Sequence, residues 1–238
     1  GRMATTAGTA GMRDWRHIAI EGPIGVGKTT LARLLAPPLG AALLLERPQD
    51  NPFLERFYAD PQRHAMSTQL CFLFQRIEQY RELAQPGIFT PRIVSDFMFA
   101  KDALFAQLTL SDDELRLYHR IHAELAPRLP QPDLVIWLRA DVPTLLRRIA
   151  GRGRAMEHAI DAAYLERLAA AYADYFEHAP QLPVLAIDSE GFDPLARPQD
   201  LQRLLHAIAG FVGPRAELAP RDAALAPTLP SALQPPVA

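Results

Sequence analysis

Gly22-Pro23-Ile24-Gly25-Val26-Gly27-Lys28-Thr29, continued by Thr30, is the stretch on which the fold turns. It matches G-x-x-x-x-G-K-[ST], and its flanks match too: the apolar run His17–Glu21 leads in and a helical pattern over Thr29–Leu35 leads out. In a strand–loop–helix setting, glycines let successive backbone N–H groups turn inward around phosphate oxygens. The helix N-terminus adds the positive end of its dipole. Gly22, Gly25, Val26, Gly27, Lys28, Thr29 and Thr30 are therefore the expected phosphate cradle, with Lys28 reaching the outer phosphates and the Thr29 hydroxyl placed for Mg2+. Lysine is scarce in this chain, occurring only at Lys28 and Lys101, so its presence at the motif position is not background.

Outward from the loop, short apolar runs alternate with helical patterns. The candidate strands are His17–Glu21, Ala42–Glu46, Arg92–Asp96, Asp133–Arg139 and Pro183–Asp188. They are continuously apolar rather than alternating, as expected of strands covered on both faces. One helix is expected to open at Ser111, where Ser111 and Glu114 suit a capping box, and another to run from Asp161 to about His178. Strand, crossover helix and parallel strand in repetition predict a three-layer α/β fold with helices on both faces of the sheet. Ligands of such sheets sit beyond the carboxyl ends of the strands, which draws attention to Glu21, Glu46, Asp96, Arg139 and Asp188.

A chain of 238 residues is long enough for one domain with a full core. That domain is expected over 14–212, after a lead-in at 1–13 without apolar period and before a proline-rich, extended tail at 213–238. A net charge of −2 gives no global reason for a nucleic acid or an anionic membrane as partner, so the cations that matter are local. No apolar run nears the roughly 18 residues of a membrane span, and no signal-peptide pattern opens the chain. The single cysteine, Cys71, excludes an internal disulfide and fits a reducing cytoplasm. His119 and His122 stand i, i+3 on a helical pattern, but no third metal ligand accompanies them.

Several blocks in fixed order narrow the class: EGPIGVGKTT from Glu21, LLERPQDNPFLERFY from Leu44, VSDFMFAKDALF from Val94, PDLVIWL from Pro132 and RRIAGRGRAMEHAIDAAYLERL from Arg147. With these, the chain from Glu21 to about Leu204 resembles the deoxynucleoside kinase family. The resemblance implies a P-loop kinase fold with a five-stranded parallel sheet and an arginine-rich lid, usually as a homodimer. It also implies ATP with Mg2+, and phosphorylation of a deoxyribonucleoside at its 5′-hydroxyl in nucleotide salvage. On that resemblance Glu46 takes the proton of the attacking hydroxyl, a task for a positioned acceptor more than a strong base. Tyr58 and Glu157 hold the sugar 3′-hydroxyl between them. The Gln69 amide pairs with a base edge, and Arg76 with Asp102 forms a charged pair suited to deoxycytidine or a purine deoxynucleoside rather than thymidine. Gln69 and Arg76, seven apart, fall nearly on one face of a helix expected over His64–Leu83. Arg148, Arg152 and Arg154 follow the family's R-x-x-x-R-G-R lid, which closes over the triphosphate, and Asp96 stands beside the metal.

One position departs from the family. Phe97 follows Asp96 where an arginine usually steadies the catalytic carboxylate, and Arg92 or Lys101 is the candidate to fill in. Two rival functions share the phosphate loop: a nucleoside monophosphate kinase, which needs cations such as Arg76 or Arg92 for an acceptor phosphate, and a non-catalytic nucleotide-binding module.

Overall fold

The structure is a computed structural model, which describes residues 15–83, 92–125, 131–154, 157 and 160–219. The expected lead-in, and the tail from residue 220 onward, lie outside the described residues.

In chain order the elements are β1 (His17–Glu21), α1 (Lys28–Leu35), β2 (Ala41–Leu44), α2 (Leu54–Ala59), α3 (Pro61–Leu83), β3 (Arg92–Ser95), α4 (Lys101–Thr109), α5 (Asp112–Leu125), β4 (Leu134–Arg139), α6 (Val142–Arg152), α7 (Ala162–Glu177), β5 (Val184–Asp188), α8 (Pro198–Ala209) and β6 (Arg215–Glu217). The sheet order is β2-β3-β1-β4-β5-β6, and every pairing is parallel. The expectation of five strands is thus corrected to six. β6 pairs Arg215, Ala216 and Glu217 with Val184, Leu185 and Ala186, beyond the expected domain end at 212. Its sequence hid it: an edge strand with exposed Arg215 and Glu217 flanking a half-buried Ala216 has no apolar run to read.

Period-two alternation builds the three layers. Ile18, Ile20, Leu134, Ile136, Leu138, Leu185 and Ile187 face a cluster that includes Leu31 and Leu35 of α1 and Leu204 and Ile208 of α8. Ala19, Val135 and Val184 face the opposite cluster, with Leu168, Tyr172 and Phe176 of α7 and Leu104 of α4. Each fully buried Leu or Ile adds roughly 1.5–3 kcal/mol, so both faces of the sheet are strongly fixed. The Ser111 and Asp161 helix starts take the form the sequence predicts. The Ser111 N–H donates to Glu114 Oε1 at 3.3 Å and the Glu114 N–H to Ser111 Oγ at 3.5 Å, while Asp161 Oδ1 accepts the Tyr164 N–H at 2.8 Å.

From β1 the chain goes out to β2 at one edge, returns to β3 beside β1, and then crosses to the other side to step outward through β4, β5 and β6. That reversal opens a crevice at the carboxyl ends of the strands. Among the described residues no helix is long and apolar enough to cross a membrane.

Candidate active site

A cleft of about 1160 Å³ occupies that crevice. Its lining carries eight cationic side chains (Lys28, Arg33, Arg47, Arg76, Lys101, Arg148, Arg152 and Arg154) against the carboxylates of Glu46, Asp96 and Glu157. In a chain of net charge −2 this concentration of cations suits a polyanionic ligand.

The phosphate loop forms one end. Gly22 has φ +152°, and a Cβ there would meet the Leu138 carbonyl oxygen at 2.4 Å, so the loop leaves β1 by a path open only to glycine. Gly27 precedes α1 with φ 101°, in the left-handed region. Lys28 Nζ donates to the carbonyls of Gly22 at 2.7 Å and Pro23 at 3.2 Å, folded back over its own loop. Burial and then the charge of Lys101 lower its pKa to about 8. Thr29 Oγ1 donates to Asp96 Oδ2 at 2.7 Å, and Thr30 also lines the cleft. Gly22 and Val26 lend backbone rather than lining: the Val26 carbonyl accepts from Arg148 NH1 at 3.2 Å, and that guanidinium also donates to Ser189 Oγ at 3.3 Å.

Glu46, just past β2, stands between the two ends of the cleft. Its backbone is fixed by the Asp96 Oδ1 that accepts its N–H at 2.7 Å and by Gln79 of α3, which donates to the Leu45 carbonyl at 2.9 Å. Both carboxylate oxygens are held by cations, Oε1 by Arg76 NH2 at 2.5 Å and Oε2 by Lys101 Nζ at 2.9 Å. Burial opposes ionisation of Glu46, but Lys101 and Arg76 outweigh it and hold the carboxyl well below the usual carboxylate range. The place of the missing family arginine is now explained. Phe97 is fully buried, edge-on to Tyr80 at 5.9 Å, so the residue after Asp96 points into the core. Its carbonyl accepts from Ser95 Oγ at 2.6 Å, which leaves the His17 Nε2, 2.8 Å from that oxygen, as the donor. Lys101, from the first turn of α4, reaches Glu46 instead. Arg92 opens β3 at the amino end of the strand, beside Trp15 and Leu39, away from the cleft.

Beyond Glu46, Gln69 and Arg76 of α3 line the cleft, as the shared helix face predicts. Arg76 is buried and bridges Glu46 to Asp102, NH1 holding Asp102 Oδ1. Asp102 is fully buried and does not line the cleft. Its other oxygen accepts the Tyr118 hydroxyl of α5, and its backbone carbonyl accepts Gln69 Nε2 at 2.8 Å. Tyr58 lines the opposite wall with Glu157. Burial and then the neighbouring Tyr164 and Glu157 raise the Tyr58 pKa, so its hydroxyl stays protonated. Arg152 NH2 and Arg154 NH1 donate to the two oxygens of Glu157, at 2.5 and 3.4 Å, which makes this carboxylate and the two arginines one ion-paired unit.

Three strand-end residues take structural rather than cleft positions. Fully buried Glu21 accepts from the N–H of Gly22, the N–H of Met98 and the Tyr172 hydroxyl, at 3.1, 2.9 and 2.7 Å, tying the start of the phosphate loop to the β3–α4 connection and α7. Arg139 turns to Glu217 at 3.3 Å, and Asp188 Oδ1 accepts the Glu190 N–H at 3.3 Å. Tyr118 was not visible as a site residue, because a tyrosine on an amphipathic helix carries no pattern until α3 and α4 pack on it.

A parallel sheet carrying this loop, a clamped carboxylate beyond it and a cation-lined cleft define a P-loop phosphotransferase. The comparisons fix which one. The deoxynucleoside kinase family model matches residues 18–213. Deoxyguanosine kinase of Bacillus subtilis (strain 168) is 35% identical over 192 residues, 79% of this chain and 93% of that protein. The deoxyadenosine/deoxycytidine kinase of the same organism is 30% identical over 203 residues, 82% of this chain and 92% of that protein. A solved deoxyadenosine kinase from M. mycoides with bound dCTP shares the fold, with TM-score 0.71 at 23% identity, over 82% of this chain and all of that one. The chain belongs to the deoxynucleoside kinase family and phosphorylates deoxynucleosides.

Proposed function

We propose that the enzyme transfers the γ-phosphoryl group of ATP to the 5′-hydroxyl of a purine deoxynucleoside or deoxycytidine, with Glu46 accepting the hydroxyl proton. What carries this is the position of Glu46, clamped between Arg76 and Lys101 at the junction of the phosphate loop and the part of the cleft lined by Tyr58, Gln69 and Phe72. The bond from O5′ to phosphorus forms as the bond from phosphorus to the β–γ bridging oxygen breaks, ADP leaves, and the proton passes to Glu46. A carboxylate with so low a pKa is a weak base, which suffices where the phosphorus–oxygen bond forms late and placement is decisive.

Lys28 and the loop N–H groups hold the outer phosphates, and Arg148, Arg152 and Arg154 form a lid that meets charge on the transferring oxygens. The Thr29 hydroxyl and the Asp96 carboxylate, 2.7 Å apart, are the all-oxygen donor set Mg2+ requires, and Mg2+ there would neutralise phosphate charge. Tyr58 and Glu157 receive the sugar, while Gln69 and Arg76 read the base with Asp102 behind them. Arg76, the cation a monophosphate acceptor would need, is already bound to two carboxylates, and no observation favours that alternative.

We assign the protein to the cytoplasm and to nucleotide salvage, the single half-buried thiol Cys71 suiting a reducing compartment. A homodimer belongs to the same reading, by its likeness to the family. ATP-dependent phosphorylation of deoxyadenosine, deoxyguanosine, deoxycytidine and thymidine, with the monophosphates as controls, tests the assignment. Turnover of a purine deoxynucleoside or deoxycytidine is expected, and turnover of monophosphates alone would overturn it.

A further inference from the structure

We propose that Tyr118 is a positioning residue for base discrimination, acting from outside the cleft by fixing the Asp102 carboxylate that in turn fixes Arg76. The proposal rests on the deoxynucleoside reading of the cleft and adds to it a residue that no substrate touches.

The geometry leaves Arg76 few ways to be held. Its guanidinium is 3% exposed, NH1 engages Asp102, NH2 engages Glu46, and Nε has no partner. The Phe72 ring, 4.9 Å from the guanidinium carbon, lies against its face, and the two carboxylates set its rotation within that plane, so its orientation toward a base is only as definite as theirs. Glu46 is fixed independently by Lys101 and by its clamped backbone. Among the described residues Asp102 has no second cation. Its Oδ1 is taken by Arg76 and its Oδ2 by the Tyr118 hydroxyl, which is the only further side-chain donor on that carboxylate among the described residues.

Tyr118 is itself immobilised. It is the one residue of α5 that is fully buried, packed among Leu73 and Ile77 of α3 and Ala106 of α4, with the His119 and His122 rings each 5.7 Å away. Burial and then the neighbouring Asp102 push its pKa up, so the hydroxyl remains a donor throughout the working range. Removing that hydroxyl leaves a buried carboxylate oxygen without a donor, and such an oxygen draws the nearest N–H toward itself. Arg76 NH1, already on the other oxygen of the same carboxylate, is the donor at hand. The fork swings toward Asp102, loses its hold on Glu46 and no longer presents one fixed edge to the base.

Tyr118→Phe isolates the effect, since the ring that fills the cluster stays. Steady-state kcat and KM for the four deoxynucleosides and for ATP are measured on the wild type, Tyr118→Phe, Asp102→Asn and the double variant. The expected result is a KM for the preferred deoxynucleoside raised ~10-fold, a preference ratio over the other bases narrowed by a similar factor, and an ATP KM within about twofold of wild type. In the double variant, Tyr118→Phe should add nothing to the loss of preference, because both changes act along one path. Wild-type inactivity on every deoxynucleoside would remove the underlying assignment and this inference together. Wild-type activity with preference ratios unchanged in Tyr118→Phe, or additive losses in the double variant, would overturn this inference alone. Should Tyr118→Phe fail to fold, Asp102→Asn decides: unchanged preference there also overturns it.

Discussion

The two ends of the cleft are built from different materials. At the phosphate end the loop is backbone shaped by glycine, with Lys28 and Thr29 at its close and Asp96 and Arg148 bonded to it. At the other end the contacts run mainly between side chains: Glu46, Arg76, Lys101, Asp102 and Tyr118 come from just past β2 and from three helices, and each is held by another's side chain. A backbone cradle is local, so one short segment specifies it. A side-chain ion network exists only after tertiary packing and fails when any member is removed, because a buried charge left unpaired is costly. The first end is thus sensitive to added volume, and the second to lost charge.

The largest effect should come from the second kind of damage. Glu46→Gln keeps the shape of the clamp but removes the proton acceptor, and kcat should fall ~10³-fold while the deoxynucleoside KM moves only a few-fold. Steady-state kinetics with saturating ATP checks this, and a kcat within tenfold of wild type would deny Glu46 its role. The first end breaks by addition. Gly22→Ala puts a Cβ 2.4 Å from the Leu138 carbonyl oxygen at a φ of +152°, and the fold should lose about 3 kcal/mol through strain and displacement of β4. Urea unfolding measures it, and an unchanged midpoint would mean that the loop relaxes without cost.

The same contrast decides what the sequence disclosed. The phosphate loop and the five strands β1 to β5 were legible because motif and continuous apolar runs are local signals. β6 was not, since Arg215-Ala216-Glu217 is a polar edge strand whose pairing depends on β5 already being in place. Gln69 and Arg76 were placed on one helix face by their spacing, and that face does line the cleft. Their partners were less visible. Asp102 looks from its motif like a base contact, but the structure sets it behind Arg76, held by a tyrosine sixteen residues further on that no spacing rule singles out. Phe97 was readable as a departure from the family pattern. That Lys101 rather than Arg92 reaches Glu46 depended on where α4 begins, and packing decides that.

Lys101→Ala sharpens the contrast between the two candidate replacements. It removes one of the two cations on Glu46 and leaves Arg76 to carry the clamp alone, so the carboxylate is free to tilt. Misplacing a reacting group by about 1 Å costs up to ~10²-fold, and a kcat loss of ~30-fold is expected with little change in the ATP KM. Arg92→Ala, at the amino end of β3, should stay within about twofold of wild type. Equal losses in the two variants would show that the cation at Lys101 acts through stability rather than through Glu46.

The smallest effect links the ends, because Lys101 contributes to lowering the pKa of Lys28 across the cleft. With that pKa near 8 rather than the usual 10.5, a growing fraction of Lys28 is neutral as pH rises above about 8 in the unliganded enzyme. A polyphosphate bound against it favours the ammonium and raises the pKa again. Between pH 8 and 10.5, binding of ATP should therefore take up protons, and its Kd should weaken by at most about tenfold per pH unit. The slope from this group is half developed at pH 8 and fades out by about pH 7. The sign for the unliganded fold is opposite: a lowered pKa disfavours the charged form, so stability rises with pH through the same window. Calorimetric titration of ATP at pH 7.5 and pH 9, each in two buffers of different ionisation enthalpy, separates proton uptake from binding. In Lys101→Ala one lowering charge is gone, so the onset of uptake should move to higher pH; an onset that stays put would confine the coupling of the two ends to Glu46.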